Sequence, residues 1–213
     1  MLYTSGTDKD CSRTPRLGSA ELANRYINPT KQYFFSRGHL TANADGIWAH
    51  EKKATFYFVN VIPQWQNINA GNWERLESSI RNLAQRNRSF IKVYTGASGV
   101  STLKDINNND KPIYLGKDSA GRLKNVLPVP KFMYKVIINE AARTGVAVVT
   151  INNPYSENHK AADVLCQSVC NQITWITFDT SDFAKGYTYC CDVQTFYNAL
   201  QVIPNPGNLP LMK

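Results

Sequence analysis

No apolar run in this chain of 213 residues approaches the eighteen or so that a helix needs to cross a bilayer. The longest, Gly145 to Ile151, has the length of a strand. Internal repeats and low-complexity linkers are missing too, which argues against an array or a string of domains. The reading is one domain over residues 1–213, with 1–30 an amino-terminal part that has lost preceding sequence and 204–213 a Pro- and Gly-punctuated tail. Met1 to Asp10 has neither the basic head nor the apolar stretch of a secretory leader. Acidic residues are in the minority: 16 Asp and Glu face 24 Lys and Arg, a net charge of +8. That balance favours a polyanionic partner, through phosphate neutralisation and counterion release, and not a membrane.

The excess positive charge falls at Lys52-Lys53, at Arg75, Arg81, Arg86 and Arg88, and at Lys131 and Lys135. Cysteine is sparse in the first 165 residues, with Cys11 alone, and then comes Cys166, Cys170, Cys190 and Cys191. Disulfides in an extracellular protein are the first reading; one cysteine is odd, and each choice of four allows three pairings. A four-thiolate zinc site is the alternative, although adjacent Cys190-Cys191 suits two tetrahedral ligands poorly. The sequon Asn87-Arg88-Ser89 supports a secretory route.

Local patterning predicts both strands and helices. Gln32 to Ser36 reads as an aromatic-rich strand, and Thr55 to Ile62 alternates as a half-buried strand with Asn60 on the face of Phe56 and Phe58. From Ala70 to Asn87 the period becomes helical, with Trp73, Leu76, Ile80, Leu83 and Ala84 on one face. Asn69, Trp73, Glu77 and Arg81 then stack along one stripe, four residues apart. Phe90 to Tyr94, Lys131 to Asn139 and Val146 to Asn152 read as further strands. Glu21 to Ile27, Lys160 to Cys170 and Thr195 to Gln201 read as helices, and Lys104 to Asp110 as a turn.

The chemistry concentrates in Arg37-Gly38-His39-Leu40, followed by Asn60, Asn69 and Glu77 in an Asn-x8-Asn-x7-Glu spacing. A histidine takes a proton from water near neutral pH, an arginine neutralises charge on a phosphorane, and a neutral amide oxygen suits a hard cation that keeps most of its water. Together they form an inventory for cutting a phosphodiester with one divalent ion. His50 and His159 have no such surroundings and read as surface or structural residues.

These segments resemble the DNA/RNA non-specific endonuclease family of the ββα-metal type, nearest its secreted invertebrate branch. The likeness rests on Arg37-Gly38-His39-Leu40, on the Tyr57-to-Gln64 block with Asn60 and Pro63-Gln64, and on the run from Ile68 to Glu77. It implies an α+β fold, the ββα-metal nuclease fold, with a mixed, mainly antiparallel sheet flanked by helices. It implies His39 as general base, Asn69 as the ligand of Mg²⁺ (Mn²⁺ the other choice), and Glu77 accepting hydrogen bonds from the cation's water shell. It casts Arg37 and, less directly, Arg81 as phosphate-binding arginines, and Asn60 as a residue near that water. The implied substrates are DNA and RNA, including double-stranded RNA, with 5′-phosphorylated products. Two departures stand out. Ser36 occupies a position where many members carry aspartate, and an upstream active-site arginine has only Arg13 and Arg16 as candidates. Both departures are what a rival reading would use, a catalytically inactive nucleic-acid-binding protein on a degenerate nuclease fold.

Overall fold

The computed structural model describes residues 17, 19–117, 123–155, 163–180 and 182–213. The eight-residue strands β8 (Phe132–Asn139) and β9 (Thr144–Ile151) form a hairpin in register from Phe132↔Ile151 to Asn139↔Thr144. β3 (Lys92–Ser98) joins the outer side of β8, and β10 (Thr188–Cys191) the outer side of β9, giving the antiparallel order β10-β9-β8-β3. Two-residue periodicity splits this sheet into two apolar faces. Met133, Ile137, Val146, Val148 and Cys190 pack with Trp65, Ile68, Trp73, Leu76 and Ile80. Tyr134, Val136, Ile138, Ala147, Val149 and Tyr189 pack with Val193 and Phe196 of helix α5 (Val193–Leu200). A sheet covered on both faces explains why β8 and β9 are apolar almost throughout.

Helix α1 (Ala20–Tyr26) is capped by Ser19, whose hydroxyl accepts from Leu22 N. Two small hairpins, β4 (Thr102–Lys104) with β5 (Asp110–Pro112) and β6 (Tyr114–Lys117) with β7 (Leu123–Pro128), sit between β3 and β8 in the chain. The segment that carries the motif is a separate antiparallel pair: β1 (Phe35–His39) against β2 (Val61–Trp65), from Phe35↔Trp65 to His39↔Val61. The architecture is α+β and antiparallel, as the family likeness implies.

Several expected elements take another form. Residues 55–60 are not strand: helix α2 (Ala49–Ala54) precedes them, Phe58–Asn60 is a 3-10 turn, and pairing begins only at Val61. Side chains supply the competing hydrogen bonds. Glu51 accepts from Ile47 N and Trp48 N at 2.9 Å, and the Asn43 amide donates to Lys52 O and Thr55 Oγ1. Phe56, Tyr57, Phe58 and Val59 are consequently exposed instead of half-buried. The helix predicted from Ala70 is interrupted: a short turn α3 (Gln66–Ile68) runs into a kink within Asn69–Trp73, where Gly71 leaves helical geometry (φ −105°, ψ −120°), and only α4 (Glu74–Asn87) is regular. Asn72 drives the interruption, its buried amide donating to Asp179 O and Gly186 O at 2.7 and 2.8 Å. Gly71 permits it, because a Cβ there would lie 2.9 Å from the Lys185 Cβ.

Of the helix expected over Lys160 to Cys170, residues 160–162 lie outside the described residues, and 163–169 are not α-helical. Disulfides Cys166–Cys191 and Cys170–Cys190 tie that segment to β10. With all four thiols bonded, the zinc alternative is removed; Cys11 lies outside the described residues. Residues 209–212 are not a loose tail either. Gly145 N donates to Pro210 O at 3.0 Å, Met212 N to Gly145 O at 3.1 Å, and Trp175 Nε1 to Met212 O at 3.3 Å.

Candidate active site

The Arg-Gly-His run is the outgoing strand β1, and alternation sends Arg37 and His39 to one side and Ser36 and Gly38 to the other. Gly38 is dictated by contact: a Cβ there would fall 2.2 Å from Oε1 of Gln64. Gln64 is fully buried and neither amide atom has a hydrogen-bond partner. The His39 ring meets Phe56 edge-to-face at 4.9 Å, and its buried Nε2 has no hydrogen-bond partner. Burial first, and the Arg37 guanidinium second, hold its pKa below the ordinary imidazole value. Both effects favour the neutral ring, the form that accepts a proton. Arg37 itself is exposed at the strand surface.

Asn69 follows directly on the short turn α3, two residues before the backbone kinks at Gly71 (φ −105°, ψ −120°). Its Nδ2 donates to Ser36 Oγ at 3.4 Å, a long bond, and Ser36 in turn donates to Gln64 O at 3.2 Å. With the nitrogen engaged by Ser36, Oδ1 is the atom left to face a cation. Ser36 thus links strand β1 to the proposed ligand with no carboxylate present.

Glu77, in the first turn of α4, is largely buried, and burial raises its pKa; the largest opposing effect is Lys135, whose Nζ is 3.8 Å from Oε1. Lys135 was counted above among the basic residues available to a polyanion. It is instead 2% exposed in the middle of β8. A lone lysine inside Phe-Met-Tyr-Lys-Val-Ile-Ile-Asn was the available signal, since such a strand has no wet face.

The remaining two residues are placed differently from His39 and Glu77. Asn60 spends its amide locally: Nδ2 donates to Thr41 O and Thr55 O at 3.0 and 2.9 Å, and Oδ1 accepts from Thr41 N at 2.9 Å. It pins both ends of the lobe formed by residues 41–60. Arg81 donates to Asp45 Oδ1 at 3.1 Å and Ser78 Oγ at 3.0 Å, so it braces the lobe against α4. Arg13 and Arg16 lie outside the described residues, as does His159.

The donors that the motifs nominate are one neutral amide oxygen, on Asn69, and one carboxylate, on Glu77. Among the described residues no three His, Cys, Asp or Glu side chains gather into a metal cage. The donor set suits a hard ion that retains most of its water, such as Mg²⁺, and is a poor match for zinc. Comparison with known proteins agrees with the motif order. The model for DNA/RNA non-specific endonucleases matches residues 4–196.

The chain belongs to the DNA/RNA non-specific endonuclease family.

Relatives within reach include a salivary endonuclease of Lutzomyia longipalpis, 31% identical over 192 residues, covering 86% of this chain and 44% of that protein. Salivary protein Tsal1 of Glossina morsitans morsitans is 28% identical over 172 residues, covering 80% of this chain and 41% of its own. Human mitochondrial endonuclease G is 37% identical over 109 residues, or 51% of this chain and 34% of that protein. The chain spans less than half the length of these curated relatives.

Proposed function

We propose that this protein is a secreted, Mg²⁺-dependent endonuclease that hydrolyses phosphodiester bonds of DNA and RNA regardless of sugar. The observation that carries the reading is the His39 Nε2 with no hydrogen-bond partner among the described residues, on the same strand face as Arg37, while Ser36 ties that strand to Asn69. His39 takes a proton from water, and the water oxygen attacks phosphorus. The phosphorus–O3′ bond breaks, the 3′-oxygen takes up a proton, and the product carries a 5′-phosphate. Arg37 neutralises charge growing on the non-bridging oxygens. Mg²⁺, or Mn²⁺ in its place, would be held at Asn69 Oδ1 and would supply positive charge to the phosphate and the leaving oxygen. Glu77 would accept hydrogen bonds from the water around that ion and so orient it. Asn60 and Arg81 enter the scheme as braces of the lobe beside His39.

Secretion is supported by the two disulfides and by the salivary relatives. A net charge of +8 supports backbone-directed binding, which weakens steeply with salt. The test is digestion of plasmid DNA and double-stranded RNA with Mg²⁺ or EDTA, wild type beside His39→Ala. Cleavage that requires Mg²⁺ and drops at least about 1,000-fold in the variant is expected. Binding of both polymers without cleavage by wild type would replace this reading with that of an inactive nucleic-acid-binding protein.

A further inference from the structure

β8 is buried along its whole length, and alternation places Lys135 beside Met133 and Ile137 on the face that meets α4. Its side chain is 3% exposed. Nζ donates to the carbonyl of Leu40 at 3.0 Å and to Thr95 Oγ1 at 3.1 Å, and stands 4.9 Å from the centre of the Trp73 ring. An ammonium has three hydrogens, so two are accounted for and the third remains for Glu77, 3.8 Å away. Leu40 directly follows His39, and Trp73 ends the kinked segment that begins at Asn69. One buried cation therefore meets the residue after the proposed base, the end of the kinked segment that carries the proposed ligand, and the Glu77 carboxylate.

We propose that Lys135 is a positioning residue of this centre: its ammonium aims the Glu77 carboxylate and, through the Leu40 carbonyl, fixes the backbone that carries His39. The inference rests on the nuclease reading above. A buried lysine is otherwise difficult to account for, because a desolvated charge is retained only where partners hold it. Without it, Glu77 would be a mostly buried carboxyl with no ion-pair partner among the described residues. Such a carboxyl takes up a proton and becomes a donor toward water, where the mechanism needs an acceptor.

The experiment is a double-mutant cycle on plasmid cleavage: Lys135→Met, Glu77→Gln and the pair together. Each single change should lower kcat by roughly 10- to 100-fold, with KM for plasmid held within about twofold. The double variant should be no slower than the slower single, because both remove the same oriented carboxylate. Thermal midpoints and binding of an uncleaved oligonucleotide in EDTA check folding, and Lys135→Gln, which keeps an amide donor near Leu40, substitutes if Lys135→Met does not fold. Titration with MgCl₂ supplies a readout apart from turnover: it should raise the wild-type thermal midpoint and raise that of Lys135→Met less. Losses that multiply in the double variant, or a Lys135→Met enzyme with wild-type kcat and an unchanged Mg²⁺ response, overturn the proposal while leaving the nuclease reading intact. A wild-type protein that cuts neither polymer removes both.

Discussion

Charging the His39 imidazole is harder here than in water, because its ring is partly buried and Arg37 adds a like charge on the same strand. Its NMR titration midpoint should lie below the ordinary value of 6.5, and the acid limb of cleavage should follow it down. Arg37→Met removes the repulsion and should move the midpoint upward; an unchanged midpoint would mean that burial alone sets it. The sign matters for the proposed chemistry, since a lowered value enlarges the neutral, proton-accepting fraction near pH 7. At this scale the sequence nominates candidates, because Arg37, His39, Asn69 and Glu77 fall in motifs of defined spacing. It was silent on partners. Nothing in Ser36 announces that its hydroxyl would join Asn69 to Gln64, and nothing in Asn60 that all its amide hydrogens would go to Thr41 and Thr55. Those are long-range or loop-closing contacts, which periodicity does not encode.

The lobe is held by hydrogen bonds within itself, through Glu51, Asn43 and Asn60, and by Arg81 of α4 on Asp45, while Ile47, Trp48, Phe56 and Phe58 are exposed. Asn60→Ala removes three of those bonds, each worth about 1 kcal/mol. Amide exchange over residues 41–59 should quicken by roughly 10- to 100-fold while β8 and β9 keep their protection. Equal acceleration in the sheet would show that lobe and core open together. The aromatic alternation of residues 55–60 suggested a strand because a period of two says nothing about which hydrogen-bond partners are available. Side-chain acceptors within the lobe were nearer than a neighbouring strand. β8 and β9 were legible for the opposite reason: long β-branched runs have few local alternatives to a sheet.

Covalent links act on the whole molecule. The loop closed by Cys170–Cys190 lies inside the one closed by Cys166–Cys191, with separations of 20 and 25 residues. Either alone would restrain the unfolded chain by about 3 kcal/mol in the loop-entropy picture, but the second closure adds little once the first has formed. Replacing Cys170 and Cys190 by alanine should therefore lower the thermal midpoint by only a few degrees, whereas reducing both bonds should lower it by about 10 °C. Equal, additive losses from each bond would argue against nesting as the cause. The pairing itself could not be read from spacing. It follows from strand alternation, which turns adjacent Cys190 and Cys191 to opposite faces of β10, one into each core.

The lobe beside His39 leaves and re-enters the hairpin at a single point, where Leu40 N donates to Asn60 O at 2.9 Å. A chain excursion whose two ends already meet can be lengthened, shortened or swapped at an entropic cost that grows only with the logarithm of its length. Evolution, or a protein engineer, can therefore treat the segment as an exchangeable cassette. Its length and sequence can change while the β1–β2 register, and with it the backbone position of the histidine, stays where it is.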